Sequence, residues 1–212
     1  MKIALVGATG TIGQQIARHA LANGHHVTAV VRSDRALPGD LSGADRVIAD
    51  LADTAALSSA IAGHDVLASA YGPRPGEDAA QIATVASQLL AAARAAGVPR
   101  LVVVGGAGSL EIAPGVQLVD TPDFPSAYKP FALAARQALQ HLRAADDIDW
   151  TFFSPAAEIG PGEERGQYRV QARTFLADAE GHSRISYADY GAAFVAELES
   201  HAHPCEIITA AY

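Results

Sequence analysis

Cysteine and positive charge are both scarce in this chain. Cys205 is the only cysteine among 212 residues, so no disulfide can form within the chain, and we expect a reducing, cytoplasmic location. Lysine and arginine together number 15 against 23 aspartate and glutamate residues, which gives a formal net charge of -8. That charge repels a phosphate backbone, and no cluster of basic residues offsets it. The sequence therefore predicts no nucleic-acid partner.

Long apolar runs are also missing, although 50% of the residues are hydrophobic. Asp, His, Arg or Gly interrupts every alanine-rich segment, so we expect no membrane span. Lys2 leads directly into the apolar run Ile3–Val6 and then into glycine, so we expect no signal peptide. The one cluster of potential metal ligands, His201-Ala-His203-Pro-Cys205, is interrupted by proline and lies late in the chain. We therefore expect no metal site.

Strand and helix patterns alternate along the whole chain, which at 212 residues predicts a single domain over residues 1–212. The predicted strands occupy 2–7, 27–31, 46–50, 65–70, 100–105, 149–154 and 205–209. The predicted helices occupy 11–23, 54–62, 77–96, a segment from about 130, and a segment that begins with a capping box at 186–189.

This alternation predicts an α/β fold, namely a Rossmann-type doubly wound, mainly parallel sheet with helices on both faces. The expected strand order is 3-2-1-4-5-6, with a seventh strand at the edge. The pattern lapses at about 106–127 and 155–185, and the second segment has extended-looking pieces at 168–170 and 174–176. We expect these two segments to form small elements on the substrate side, since long loops in compact domains are often functional.

A glycine-rich sequence, Gly7-Ala-Thr-Gly10-Thr-Ile-Gly13, separates the first strand from the first helix. In such a turn the first glycine permits a tight bend, the second lets a diphosphate approach the backbone, and the third lets the helix pack closely. N–H groups at the start of the helix then face the phosphates. This context predicts a dinucleotide site; the alternative is a tight turn without a ligand. The candidate residues are Gly7, Thr9, Gly10, Thr11, Ile12 and Gly13.

Arg32 ends the second strand, about twenty residues beyond the glycines, where sites for NAD usually carry an acidic residue. A guanidinium can bind a 2′-phosphate through two charge-assisted hydrogen bonds, so we expect NADP(H) to be preferred over NAD(H). The alternative is that Arg32 is an exposed arginine and that Asp34 binds the ribose. Asp50, followed by Leu51, ends the third strand and is a candidate either for the adenine amino group or for capping a loop.

Ligands of a doubly wound sheet lie outside the carboxyl ends of its strands, so the nicotinamide should meet residues after strands four, five and six. Those residues are Ala70, Tyr71, Gly72, Gly105, Ser154, Pro155 and Ala156. Four small residues at 105–108 suggest a backbone that a flat group approaches closely, or else a flexible loop. Ser109, Tyr128 and Lys129 are candidate catalytic residues, because a phenol beside an ammonium can donate a proton to a developing oxyanion. The alternative for Tyr128 and Lys129 is a surface pair on a solvated loop.

Together with Trp150–Pro155 and the helix start at Ser186–Tyr190, these motifs resemble the atypical short-chain dehydrogenase/reductases over nearly the whole chain. The similarity is greatest to the NAD(P)H-binding proteins that include flavin reductase/biliverdin reductase B and the NmrA-like nitrogen-metabolite-repression regulators. The resemblance implies a reductase of flavins, quinones or similar flat acceptors, or a cofactor-sensing protein without turnover. We expect a small-molecule substrate and a monomer or small homo-oligomer.

The chain departs from this family in two places. The Tyr-x-x-x-Lys pair of typical members is absent, since the residue four positions after Tyr128 is Ala132, so proton relay by that pair is excluded. In the flavin and biliverdin reductases a serine soon follows the fifth strand, whereas the matching residue here is Ala107 and Ser109 lies slightly further on. A flavin or quinone can take its proton from solvent, so the missing pair does not exclude a reductase.

Overall fold

The structure, a computed structural model, describes residues 1–34, 36–73 and 76–212. Within these residues the α-helices are α1 (Thr11–Ala22), α2 (Thr54–Ile61), α3 (Gln81–Ala96), α4 (Lys129–Arg143) and α5 (Tyr187–Ser200). The strands are β1 (Lys2–Val6), β2 (His26–Val31), β3 (Asp45–Ile48), β4 (Val66–Ser69), β5 (Arg100–Val104), β6 (Glu111–Ala113), β7 (Val116–Gln117), β8 (Asp149–Ser154), β9 (Glu158–Gly160), β10 (Arg169–Ala172), β11 (Arg184–Ser186) and β12 (Glu206–Ala211).

Eight of the described strands form one sheet in the order β3-β2-β1-β4-β5-β8-β12-β10. The first seven are parallel neighbours, and Ile3 of β1 lies between Val27 of β2 and Val66 of β4. This arrangement confirms the predicted doubly wound fold and its strand order. The prediction that the seventh strand lies at the edge was wrong, because β10 pairs antiparallel with β12 outside it. The segment at 169–172 mixes polar and apolar residues, since an edge strand is not buried on both faces.

Helices cover both faces of the sheet, and each face has its own apolar cluster. On one face α2, α3 and α4 pack through residues such as Leu57 and Leu89, and on the other face α1 and α5 pack through Ile16 and Tyr190. Burying each such side chain contributes roughly 1.5–3 kcal/mol to folding. The phenol of Tyr190 donates a hydrogen bond of 2.5 Å to the carbonyl oxygen of Phe153, so its polar end is also satisfied.

Capping residues set the ends of the helices. The Oγ of Ser186 accepts the N–H of Asp189 at 3.0 Å, which confirms the predicted N-cap of α5. The reciprocal contact of a capping box is not made, because the N–H of Ser186 donates to the Tyr212 hydroxyl at 3.0 Å. Gly97 ends α3 in the left-handed region, with φ at 67°. α3 begins at Gln81 rather than at 77, because Asp78 Oδ1 accepts the N–H of Ala80 at 2.9 Å and holds the preceding residues in a turn.

Small elements occupy the two segments where the sequence pattern lapses. The first contains the antiparallel hairpin β6–β7 and short 3₁₀ turns, and the second contains the parallel pair β9 and β11, with Ile159 opposite Ile185. The extended piece expected at 174–176 is not a strand, and Thr174 forms an isolated bridge with Glu111 instead. No helix among the described residues combines the length and apolar character needed to cross a membrane.

Candidate functional site

The parallel strands end level with one another along one edge of the sheet. Val6 at the end of β1 is paired in register with Val30 of β2 and Ser69 of β4, and Ser69 is paired with Val103 of β5. Val104 in turn is level with Phe153 of β8. The turns that follow these strands therefore lie side by side, which is the position of ligands in doubly wound sheets.

The three glycines of the first turn have different surroundings. A Cβ added to Gly7, whose φ is +78°, would lie 2.6 Å from the Ala70 carbonyl oxygen. A Cβ added to Gly13 would lie 2.0 Å from the Gly7 oxygen. Gly10 is exposed, and the nearest atom to its added Cβ is 3.4 Å away. Backbone contacts thus require the first and third glycines, whereas the second leaves a cradle that a side chain would fill.

The N-terminus of α1 begins in this turn without a side-chain cap. Gly10 is the N-cap residue, and its N–H donates to the Gly7 oxygen at 3.0 Å. Thr9 and Thr11 are exposed beside it, and Ile12 is half-buried. The first N–H groups of a helix have no partner within the helix, and the helix dipole places a partial positive charge there. The residues present therefore fit a diphosphate group.

Arg32 meets an acidic partner that the sequence analysis missed. Its Nη1 lies 3.9 Å from Oε1 of Glu77, on the loop between β4 and α3, and the two side chains are 50% and 28% exposed. The exposed Asp34, the alternative ribose ligand, forms an ion pair with Arg46. The sequence could have indicated Glu77 as an acidic residue next to the Gly/Pro-rich segment after β4. Its proximity to Arg32 depends on the fold and could not be read from the sequence.

The loop after β4 begins with the predicted residues Ala70, Tyr71 and Gly72. The Tyr71 hydroxyl donates to Gln81 Oε1 at 2.8 Å, and Gly72 is exposed with no atom within 4 Å of an added Cβ. Burial raises the pKa of the Tyr71 phenol, the Glu77 carboxylate raises it further, and Arg32 opposes both effects. Tyr71 and the Arg32–Glu77 pair are therefore electrostatic neighbours at this edge.

Asp50 and Leu51 follow β3 at the same edge of the sheet. Oδ1 of Asp50 accepts the N–H of Ala52 at 2.9 Å, which is the loop-capping contact that the sequence left as one alternative. Leu51 is packed in the core that α2 and α3 share. Asp50 is itself exposed, so capping the loop and contacting an adenine are compatible roles for it.

Small residues at the ends of β5 and β8 pack against each other. A Cβ on Gly105 would lie 2.2 Å from the ring of Phe152, so this glycine makes room for an aromatic side chain. Ser154 is fully buried, and its hydroxyl donates to the Gly106 oxygen at 3.1 Å. Pro155 is half-buried and Ala156 is buried. Internal packing and hydrogen bonding thus account for much of the small-residue composition here.

The three candidate catalytic residues lie in unlike surroundings. Ser109 is 2% exposed, and its Oγ has no hydrogen-bond partner among the described residues. Tyr128 is 68% exposed, and Lys129 is exposed at the first turn of α4. Ser109 is therefore a buried hydroxyl, and the other two are surface residues at a helix start.

The loop at 161–168 is held against α5 by one buried carboxylate. Asp189 accepts the N–H groups of Arg165 and Gly166 at 3.0 and 2.9 Å, and the hydroxyls of Tyr212 and Ser186 at 2.7 and 3.2 Å. Burial by itself would raise the pKa of Asp189, but these hydrogen bonds outweigh it and the pKa is lowered. An open groove of about 590 Å³, lined by residues of β9 and β11, lies beside this loop.

The histidines near the C-terminus have carboxylate neighbours. His203 Nδ1 lies 2.7 Å from Glu197 Oε2, and His201 Nε2 lies 3.5 Å from Asp149 Oδ2. In the described parts of the chain, no group of three or more His, Cys, Asp or Glu side chains is arranged to hold a metal ion.

Comparison with known proteins agrees with the geometry of the first turn. A model of a family described as NAD(P)H-binding matches residues 7–201, beginning at the first glycine of the turn. The chain belongs to this NAD(P)H-binding family. The family assignment confirms the resemblance inferred from the motifs, and the cofactor class is therefore a nicotinamide dinucleotide.

Solved structures and one curated relative extend over the whole of this NAD(P)H-binding protein. It is 51% identical to a proposed exported protein from Burkholderia pseudomallei, with a TM-score of 0.93 and 100% of both chains covered. It is 36% identical to a proposed NADH-flavin reductase from Streptococcus pneumoniae, with a TM-score of 0.88 over 100% of this chain and 99% of that one. It is 31% identical to a 3-diazoavenalumate denitrifying reductase from a Streptomyces species, over 99% of this chain and 76% of the relative.

Proposed function

We propose that this protein is an NAD(P)H-dependent oxidoreductase that transfers hydride to a flat acceptor such as a flavin or a quinone, with NADP(H) preferred. One observation carries the proposal: the open cradle at Gly10, at the uncapped start of α1, lies on the same sheet edge as Arg32 at the end of β2. The reductase names of a structural neighbour and of a curated relative support the reaction type.

The chain's own residues would bind and orient the cofactor, which supplies a hydride from C4 of its nicotinamide ring. Main-chain N–H groups at 7–13 would bind the diphosphate, and Arg32 would bind a 2′-phosphate. Asp50 would accept a hydrogen bond from the adenine amino group while its Oδ1 keeps the N–H of Ala52. The turns at 70–72 and 154–156 would lie beside the nicotinamide, because they follow strands β4 and β8 at the same edge.

Ser109 is the proposed proton donor for acceptors that need one. Its buried hydroxyl has no hydrogen-bond partner among the described residues, so it is available to a ligand that reaches it. Tyr128 and Lys129 would act from the exposed start of α4. A flavin or quinone can take its proton from solvent, so we expect hydride transfer to such acceptors to depend little on these residues.

Steady-state oxidation of NADPH with flavins, quinones and small aldehydes tests the proposal. We expect turnover with flavins and quinones, and a higher kcat/KM for NADPH than for NADH. The Ser109→Ala variant should lose activity toward aldehydes and keep it toward flavins, whereas the control Ser59→Ala, exposed on α2, should keep both. The proposal would be overturned if the protein bound no dinucleotide and no acceptor supported the oxidation of NADPH.

A second candidate function is an NADP(H)-sensing regulatory protein without turnover. It is favoured by the unlike surroundings of the candidate catalytic residues, since Ser109 is buried whereas Tyr128 and Lys129 are exposed. Tight NADPH binding without oxidation by any acceptor would establish this function against the first. We expect a monomer or small homo-oligomer in the cytoplasm for either function, and cell fractionation would test the location against the exported name of the Burkholderia neighbour.

A further inference from the structure

The guanidinium of Arg32 already lies near a carboxylate of its own chain. Nη1 of Arg32 lies 3.9 Å from Oε1 of Glu77, which reaches it from the loop between β4 and α3. The pair therefore joins the end of β2 to the loop that follows β4, at the edge where the adenosine half of a dinucleotide would lie. Both charges act on the Tyr71 phenol, because Glu77 raises its pKa and Arg32 lowers it.

A 2′-phosphate and Glu77 would compete for the same cation. A phosphate oxygen that accepts a hydrogen bond from Nη1 would lie at most about 7 Å from the Glu77 oxygen, which is within the screening length of about 8 Å in physiological salt. Two anions at that separation repel each other, and the N–H groups of the guanidinium that donate to one anion are withdrawn from the other. A dinucleotide with a free 2′-hydroxyl carries no charge at this point, so it meets no such repulsion.

We propose that Glu77 is a specificity-determining residue, which competes with the 2′-phosphate for Arg32 and so limits the preference of this protein for NADP(H) over NAD(H). The inference rests on the proposed function, since it requires Arg32 to contact the 2′-phosphate. It predicts that removing the Glu77 charge strengthens the binding of 2′-phosphorylated ligands alone.

Isothermal titration calorimetry of the full chain with 2′,5′-ADP, 5′-ADP, NADPH and NADH tests the inference. The variants are Glu77→Gln, Arg32→Ala and the double variant. The control Glu180→Gln makes the same isosteric, charge-removing change on the exposed loop before β11. We expect Glu77→Gln to tighten 2′,5′-ADP and NADPH by about threefold to fivefold, the scale of a partly exposed ion pair, and to leave 5′-ADP and NADH within about twofold.

Three results would overturn the inference, each in a recognisable way. If Glu77→Gln changes NADPH and NADH affinity equally, or weakens NADPH, then Glu77 does not set specificity. If the gain in NADPH affinity persists undiminished in the Arg32→Ala background, then Glu77 does not act by competing for Arg32. If the unmutated protein binds neither NADPH nor NADH, the proposed function itself fails and the inference falls with it. Loss of the gain in the double variant, together with no effect of Glu180→Gln, would support the competition.

Discussion

Two glycine-rich segments, at 7–13 after β1 and at 105–108 after β5, look alike in sequence and differ in structure. In the first, added Cβ atoms would meet backbone atoms, namely the Ala70 and Gly7 carbonyl oxygens. In the second they would meet side chains, the ring of Phe152 at Gly105 and the Cβ of Ala132 at Gly108, at 2.2 and 2.8 Å. Only the first segment also contains a glycine that is exposed at a helix N-terminus.

The difference shows that a run of glycines indicates a close contact with the backbone but does not indicate whether backbone, side chain or ligand makes that contact. Backbone atoms have no alternative rotamers, so the contacts of Gly7 and Gly13 hold the first turn in one geometry. The exposed Gly10 is thereby held at the start of α1. Aromatic and methyl side chains can be exchanged for smaller ones. The glycines of the second segment are therefore explained by the packing of β5 against β8 and α4. The four predictions below test this contrast, in order of the expected change in the free energy of unfolding.

Gly13→Ala should have the largest effect. The added Cβ would lie 2.0 Å from the Gly7 oxygen and 2.7 Å from the Gly7 carbonyl carbon, so the turn itself must move. We expect the free energy of unfolding, measured by urea denaturation, to fall by about 3 kcal/mol, and NADPH binding to weaken. Gly160→Ala is the control, because nothing lies within 4 Å of its added Cβ. Equal stability of the two variants would contradict a backbone-locked turn.

Gly105→Ala should lower the free energy of unfolding by less, about 2 kcal/mol, because the ring of Phe152 can shift. A double-mutant cycle with Phe152→Leu should show a favourable coupling, since the smaller side chain makes room for the methyl group. NADPH affinity of the folded variants should stay within about twofold of the unmutated protein if Gly105 serves packing. A loss of NADPH affinity that Phe152→Leu does not recover would instead assign Gly105 to the cofactor.

Asp189→Asn should lower the free energy of unfolding by about 1–2 kcal/mol at neutral pH, because this carboxylate accepts the N–H groups that hold the loop at 161–168 against α5. The pKa of Asp189 is lowered in the folded protein, so its contribution is complete above the unfolded value of about 3.9 and is lost as pH falls through the folded value. Urea denaturation from pH 7 to pH 2.5 should therefore show the two proteins converging in stability on the acid side. A gap that stays constant with pH would show that the charge of Asp189 is unimportant.

Gly10→Ala should change the free energy of unfolding least, by about 0.5 kcal/mol or less, since a φ of -79° and space for a methyl group avoid strain, whereas alanine is a poorer N-cap residue than glycine. The same methyl group would occupy the cradle for the diphosphate, so we expect NADPH affinity to fall about tenfold or more. Calorimetric titration with NADPH measures this. Unchanged affinity in a stable Gly10→Ala variant would place the diphosphate elsewhere.

Periodicity and capping predict most of the sheet and its helices. Apart from the outer strand β3, the parallel strands of the main sheet are apolar runs buried on both faces, and Ser186 and Gly97 are found at the helix ends that they predict. The sequence indicated β10 only as an extended-looking piece at 168–170, and it missed the hairpin β6–β7, because short, half-exposed strands carry no such run. For the site, Gly7 to Gly13 could be predicted from their spacing, because strand, turn and helix are local in sequence. The contact between Arg32 and Glu77 and the burial of Ser109 could not, since both depend on how distant segments meet.

The sheet described above ends on both sides in a strand of four residues, β3 and β10. Each of these outer strands carries charge, with Asp45 and Arg46 in β3 and Arg169 in β10. Short, charged outer strands discourage a further strand from adding to a sheet, and they are a common protection against aggregation through exposed backbone. The long parallel sheet should therefore not extend from one molecule of this protein to the next.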